Sequence, residues 1–329
     1  MGRTDTITKS YMRDPEVFAD AFNCFMYDGD QVIRPDALHE LDTTGLTVLS
    51  DDNGRKFGKQ TYRDILKYAT AKQDGNRAYM ILGIENQTGI NYAMPVRVML
   101  YDSLQYMSQT ENAGHKKEIS KNKTRLSSDE YISRFRKDDK VLPVITLVVY
   151  FGNKPWDGPK SLHQMIDADD GLKEYIDDYK LKLLEPALMS DDEIGKFRSD
   201  LKSVFYFIKY SENKEKLQEI IEGNSEFHRL KRSTAEMINE VTGSKIDMSE
   251  EGDEIDMCTA IREMREESEA IGIEKGRISG AIDRAKSIAR AMKDEGMDSA
   301  IIFKLTGISV EDTTVAAKSE LANTKSGNN

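Results

Sequence analysis

The dipeptide Asp74-Gly75, set between two runs that read as strands, residues 64–71 and 77–84, constrains the fold more than any other feature. A two-residue hairpin turn matching the twist of its strands needs positive φ at both turn positions, and Asp-Gly tolerates this. A turn centred there pairs residues whose numbers sum to 149, so Asp64 faces Glu85 and both side chains leave the same face. Gln87, two residues beyond Glu85, shares that face. Opposed carboxylates repel each other unless a cation or a shared proton neutralises the pair. A divalent metal ion is the simplest neutraliser.

At these residues the chain resembles the PD-(D/E)XK nuclease superfamily and, within it, the recombination-promoting nucleases also called YhgA-like transposases. The resemblance rests on Asp64 in RDILK, Glu85-Asn86-Gln87 in GIENQT, and MPVR (Met94 to Arg97) opening a helix. It extends to residues 18–38, 92–106 and 142–165, covering the first half of the chain strongly and the helical remainder weakly. It implies an α/β fold, a restriction-endonuclease-like αβββαβ core with a helical C-terminal extension. It also implies a metal-dependent DNA endonuclease of low sequence specificity, acting in recombination or transposition-like events. Asp64 and Glu85 would hold Mg²⁺, with Mn²⁺ as a substitute, and Asp64, Glu85 and Gln87 would form the catalytic set. Gln87 stands where most superfamily members carry lysine, although the family itself uses Gln. An amide cannot serve as a base near neutral pH, so Gln87 is expected to orient the attacking water by hydrogen bonding. The superfamily's first helix can lend an acid to the metal, which points to Asp20 or Glu16; a solvated helix face is the weightier alternative.

With 329 residues, 38% of them hydrophobic and 32% charged, the chain has the make-up of a folded protein of more than one domain. No run approaches the ~20 apolar residues that span a bilayer, and MGRTDTITKSYMRD lacks the apolar core of a secretory signal. The expected location is the cytoplasm, with no membrane partner. Cys24 and Cys258 read as free thiols. The four histidines, His39, His115, His163 and His228, fall in no ligand or nucleophile spacing, which removes serine, cysteine and zinc hydrolases. A net charge of −11 argues against indiscriminate basic coating but leaves room for a local basic cleft, since acid gathers C-terminally at 191–193, 249–254 and 263–269.

Along the chain, Asp14-Pro15 caps a first helix with Val17, Phe18, Ala21, Phe22 and Phe25 at helical spacing, ending near residues 28–30. Residues 32–41 read as irregular with a short helix begun by Pro35, and 46–49 as a first strand before a turn at 51–54. Pro95 opens a helix over 96–107, with Val96, Met99, Leu100, Ser103 and Leu104 expected toward the sheet and Arg97 and Gln105 away from it. Arg97 could meet a phosphate; a surface ion pair with Asp102 or a neighbour is the bland alternative. The most basic stretch runs from His115 to Lys140. There Lys116, Lys117, Lys121, Lys123, Arg125, Arg134 and Arg136, with Tyr131 and Phe135 between them, are candidate DNA contacts of the sequence-independent, salt-sensitive kind. A solvated linker is the competing reading. Residues 141–151 form an apolar run that reads as a central strand buried on both faces.

Beyond residue 170 helical patterns take over: a capping box at Ser190 leading into 194–210, then 214–221 and 230–241. From Ile255 a long charged helix carries Gly272, Gly276 and Gly280 four apart. Each glycine costs a helix ~1 kcal/mol against alanine, so a helix pair, with a homo-oligomer formed through the C-terminal helices, is favoured over a loose linker. Residues 298–315 resemble a small helix-turn-helix with Gly307 at the turn; with Glu311 and Asp312 in the second helix, a groove-reading role is not expected, and 324–329 read as disordered. The expected domains are 1–170 nuclease-like, 171–250 helical, and 251–329 a charged helical tail. A catalytically silent nucleic-acid-binding or assembly protein that keeps the fold is the alternative, disfavoured by the retained Asp64 and Glu85.

Overall fold

The chain opens on a helix that precedes the first one expected from Asp14-Pro15. In the computed structural model, α1 (Arg3–Arg13) buries Thr8 together with Tyr11 and Met12, about one turn further on. Thr4 and Arg3 tie its start to Glu240. The structure describes residues 2–309 except 43, 51–55, 74–75, 119–126, 225–226, 228 and 249–251. The Asp74-Gly75 turn, the turn at 51–54, the second helix of the helix-turn-helix and the C-terminal tail therefore lie outside the described residues.

Asp14 ends α1 and its carboxylate accepts from the Glu16 N–H, capping α2 (Pro15–Tyr27) with proline in the first turn. Residues 33–40, read as irregular with a helix at Pro35, are instead strand β1 (Ile33–Glu40). β1 is the edge of the sheet, and its register shifts between Ile33 and Leu38, so Pro35 sits where a missing N–H is tolerated. Asn23 of α2 fixes the start of β1, its amide bonding both the N–H and the C=O of Ile33. β2 (Thr44–Ser50) and β3 (Lys56–Tyr62) form a separate antiparallel ribbon, so the expected first strand of the core is not part of the main sheet.

β4 (Ile65–Gln73) and β5 (Asn76–Gln87) pair antiparallel from Gln73 opposite Asn76 to Ile65 opposite Ile84. α3 (Met94–Glu118) and α4 (Ser128–Ser133) then cross over to β6 (Val144–Tyr150), which runs parallel to β5, as a parallel neighbour requires. α5 (Asp170–Lys173) precedes β7 (Lys182–Leu184), which completes a mixed five-stranded sheet in the order β1-β4-β5-β6-β7. β6 is apolar and buried along most of its length, as a strand flanked on both edges should be.

The helix expected over 194–210 is interrupted. α6 (Asp191–Gly195), with its Ser190–Glu193 capping box, stops and α7 (Leu201–Lys209) restarts after residues 196–200. The break is where Asp20 of α2 reaches in, accepting from the N–H groups of Arg198 and Ser199 and from the Ser199 hydroxyl. α8 (Lys214–Glu222), β8 (Leu230–Lys231), α9 (Arg232–Thr242) and β9 (Glu254–Ile255) complete the first of two units, residues 1–258. The second unit, residues 259–329, holds nearly all of α10 (Met257–Asp294) and then α11 (Ser299–Thr306), which ends on Gly307 at φ 72°. Among the described residues no helix is long and apolar enough to cross a membrane.

Candidate active site

Because Ile65 lies opposite Ile84, the residue before β4 and the residue after Ile84 on β5 meet side by side. The Asp64 N–H donates to Glu85 Oε1 at 3.3 Å, and the Asn86 N–H donates to Asp64 Oδ2 at 2.9 Å. Both carboxylates are buried, Glu85 completely. Burial, then the charge of Asp64, push the Glu85 carboxyl up to about 8, while Arg97 and Arg63 pull in the other direction.

Two cations flank the pair. Lys9 of α1 places Nζ 3.0 Å from Asp64 Oδ1, and Arg97 of α3 places Nη2 3.1 Å from Glu85 Oε2. Arg97 also donates from Nε to the Tyr101 hydroxyl at 2.9 Å and lies over that ring. Burial disfavours its charge, but Glu85 and Tyr101 outweigh this and raise its pKa above the ordinary value. Despite the guanidinium nearby, Glu85 Oε2 is buried without a hydrogen-bond donor. An ionised oxygen in that condition is costly, and a hard cation that prefers carboxylate oxygen would relieve it. The donor set thus fits Mg²⁺ or Mn²⁺. Among the described residues no group of three or more His, Cys, Asp or Glu assembles, so backbone oxygen and water would complete the coordination.

Asp64, with Glu85 buried behind it, borders an open cavity of about 650 Å³ lined also by Asp5, Asn86, Gln87 and Arg97, among others. Gln87 reaches it from the face it shares with Glu85, with its Nε2 donating to the Asn86 carbonyl at 2.7 Å.

A second network, buried except at Tyr179, braces the site. Asp102 of α3 accepts from Arg63 Nη2 at 2.7 Å, from the Thr146 hydroxyl at 2.5 Å, and from the Tyr179 hydroxyl. Arg63 is the residue before Asp64, so this pair anchors the end of β4 to α3 and β6. Its guanidinium needs the bare surface of Gly83, where an added Cβ would come within 2.6 Å of Nη1.

Asp102 also explains why α3 presents a different face from the one expected. Met94, Val98, Tyr101 and Asp102 are buried, whereas Val96 and Ser103 are exposed and Arg97 turns to the carboxylates. A buried aspartate in the inner stripe hides the apolar periodicity, and Asp102 pairs with Arg63 rather than with Arg97. The other acids considered on the first helix are engaged elsewhere: Asp20 in the α6–α7 break, Glu16 with Lys231.

The basic stretch is not brought to the carboxylates. Lys116 and Lys117 lie in the last turn of α3, about 28 Å of helix from Arg97. Tyr106 and Gln109 tie this part of α3 to the start of β6 through Val144 and Leu142, whereas Glu85 and Gln87 lie at the far end of the parallel strand β5. Arg134 is exposed at the end of α4 and Arg136 follows it; Lys121, Lys123 and Arg125 lie outside the described residues.

Residues 124–238 match the family model described as "Putative transposase, YhgA-like". Over this segment the chain is similar to that family. The YhgA-like segment takes in β6, β7 and most of α9, so the strand bearing Thr146 belongs to it while the Asp64–Glu85 hairpin precedes it. No curated protein matches the chain, and no solved structure does.

Lys9, Arg63 and Asp102 are site residues that the sequence pattern does not single out. For Lys9, the Thr8, Tyr11, Met12 spacing of α1 was a usable signal that a helix precedes Asp14. For Arg63 and Asp102, no local signal exists.

Proposed function

We propose that this protein is a metal-dependent DNA endonuclease of low sequence specificity, built on a restriction-endonuclease-like core and acting in recombination or transposition-like events. One observation carries the reading: a wholly buried glutamate with an oxygen lacking any hydrogen bond, set against a second carboxylate at the wall of an open cavity. A chain gains nothing in stability from that arrangement, and perturbed carboxylates in a cleft mark functional sites. The YhgA-like match agrees with a nucleic-acid-acting enzyme.

Asp64 and Glu85 would hold Mg²⁺; Asp64 Oδ1 and Glu85 Oε2 accept from no backbone N–H and face Lys9 and Arg97 instead. When bound, the ion supplies a lowered water pKa and stabilisation of developing phosphoryl charge. The chain's own groups do the rest. Gln87 reaches the cavity with an amide that can hold the attacking water, and Arg97 meets a phosphate oxygen once it no longer has to neutralise Glu85. In hydrolysis the water oxygen bonds to phosphorus, the phosphorus–sugar oxygen bond breaks, and the departing oxygen takes up a proton. Supercoiled plasmid incubated with the pure protein and Mg²⁺, Ca²⁺ or chelator tests the reading: nicking or linearisation with Mg²⁺ alone is expected, and intact plasmid under every condition would refute it.

The partner we propose for α10 is a second copy in antiparallel register. Ile261, Met264, Ile271, Ile278, Ile282 and Ala285 recur at intervals of three, four or seven residues along one face of the helix, and Ile278 and Ile282 are exposed. From Met257 to Glu274 the helix has five glutamates against two arginines; from Lys275 to Asp294 it has six basic residues against two aspartates. Antiparallel pairing sets the acidic half of each helix against the basic half of the other. Sedimentation equilibrium should give a dimer that Ile278→Glu with Ile282→Glu converts to monomer; a monomeric parent would overturn the pairing.

A further inference from the structure

We infer that Lys9, carried on the N-terminal helix, supplies the active-site ammonium that position 87 lacks; this inference rests on the endonuclease reading above. Gln87 leaves the centre with an amide that can orient water but carries no charge. The ion pair at Asp64 supplies one. Lys9 Nζ stands 3.0 Å from Asp64 Oδ1 with its side chain only 17% exposed, and it arrives from α1, an element remote in sequence from the hairpin.

The placement is built rather than incidental. Thr8, Tyr11 and Met12 bury the adjoining face of α1, and Asp5, one turn before Lys9, lines the same cavity as Asp64 and Gln87. Of the two Asp64 oxygens, Oδ2 is taken by the Asn86 N–H, so Lys9 sits on the oxygen left for a cation. Lys67, the buried lysine of β4, is committed instead to the Arg13 carbonyl and Glu40.

Charge balance gives Lys9 two roles. Without a divalent ion, it is the counter-ion of Asp64, while Arg97 Nη2 stands 3.1 Å from Glu85 Oε2. With the carboxylates satisfied by an ion, the ammonium, on a flexible four-carbon stem, is free to donate to the attacking water and to the phosphate oxygens on which negative charge develops. Lys9 is thus a catalytic residue of the proposed hydrolysis, and α1 belongs to the active site.

Wild type, Lys9→Gln, Lys9→Arg and the double variant Lys9→Gln/Gln87→Lys separate this role from a structural ion pair. In the first arm Tb³⁺ is titrated by luminescence without DNA. Removing a resident cation from Asp64 should tighten Tb³⁺ binding several-fold in Lys9→Gln and leave Lys9→Arg near the parent. In the second arm single-turnover plasmid cleavage is measured at saturating Mg²⁺, where ion affinity no longer matters. Lys9→Gln should fall by about 10²-fold, Lys9→Arg should stay within about tenfold of the parent, and the double variant should recover most of the loss by restoring an ammonium from β5. Equal cleavage by Lys9→Gln and the parent, or a double variant no better than Lys9→Gln, overturns the inference and leaves the endonuclease reading standing. A parent that cuts under no condition overturns both, and tighter Tb³⁺ binding alone would then make Lys9 a resting counter-ion and nothing more.

Discussion

The backbone N–H of Asp64 donates to the carboxylate of Glu85, 3.3 Å away, so the two acids are joined through main chain as well as by their shared face. Glu85 is held where burial and then the charge of Asp64 both disfavour its ionised form. That coupling makes the metal-free protein sensitive to pH.

With Glu85 pushed up to about 8 by burial and by Asp64, against the pull of Arg97 and Arg63, the folded state holds a proton that the unfolded chain releases near the ordinary glutamate value of 4.5. The stability this group contributes is full below that value and is lost as pH rises through about 8. In chelator, urea denaturation should give a wild type that weakens between pH 5.5 and 8.5 relative to Glu85→Gln, which has no proton to lose. Parallel pH profiles for the two proteins would show that the Glu85 environment is misjudged.

Substituting either carboxylate should remove cleavage while the fold persists. Asp64→Asn and Glu85→Gln keep size and most hydrogen bonding, yet each discards a charge the ion needs, and single-turnover rates should drop by about 10³-fold or more. Circular dichroism checks the fold. A variant free of contaminating nuclease that cuts at the parental rate would exclude that carboxylate from the chemistry.

For Gln87→Ala the expected loss is smaller, about 10²-fold in single-turnover rate, since one positioned hydrogen bond is at stake and no ion ligand. Gln87→Lys should retain activity, because a long polar side chain still reaches the cavity and brings charge with it. If Gln87→Ala cuts as fast as the parent, its bond to the Asn86 carbonyl is all the side chain does.

The Arg63–Asp102 pair predicts a stability effect without any appeal to catalysis. Asp102→Ala strands a buried guanidinium and should cost about 3–5 kcal/mol. Gly83→Ala drives a methyl against Arg63 Nη1 and should cost about 1–3 kcal/mol. Urea denaturation with chelator measures both. Adding Arg63→Met to Asp102→Ala should return part of the loss; a double variant weaker than Asp102→Ala alone would mean that Arg63 is stabilised by something other than Asp102.

The parts of the fold legible in sequence are those set by short-range rules. A strand's two-residue period together with Asp74-Gly75 specifies the β4–β5 register from neighbours alone, and the same holds for the Asp14 cap of α2 and the apolar run of β6. From these the meeting of Asp64 with Glu85 follows. What tertiary structure alone decided is what depends on distant partners, whether a neighbouring strand or an opposite charge. Pro35 reads as a helix start until β1 is seen to be an edge, and Asp102 reads as a surface position until Arg63 is buried against it. For Lys9 the spacing of α1 signals a helix but not the partner it meets. An ion pair between α1 and β4 leaves no periodicity in either segment, because its energy lies in a low-dielectric meeting of two side chains that exists only once the chain has closed around them.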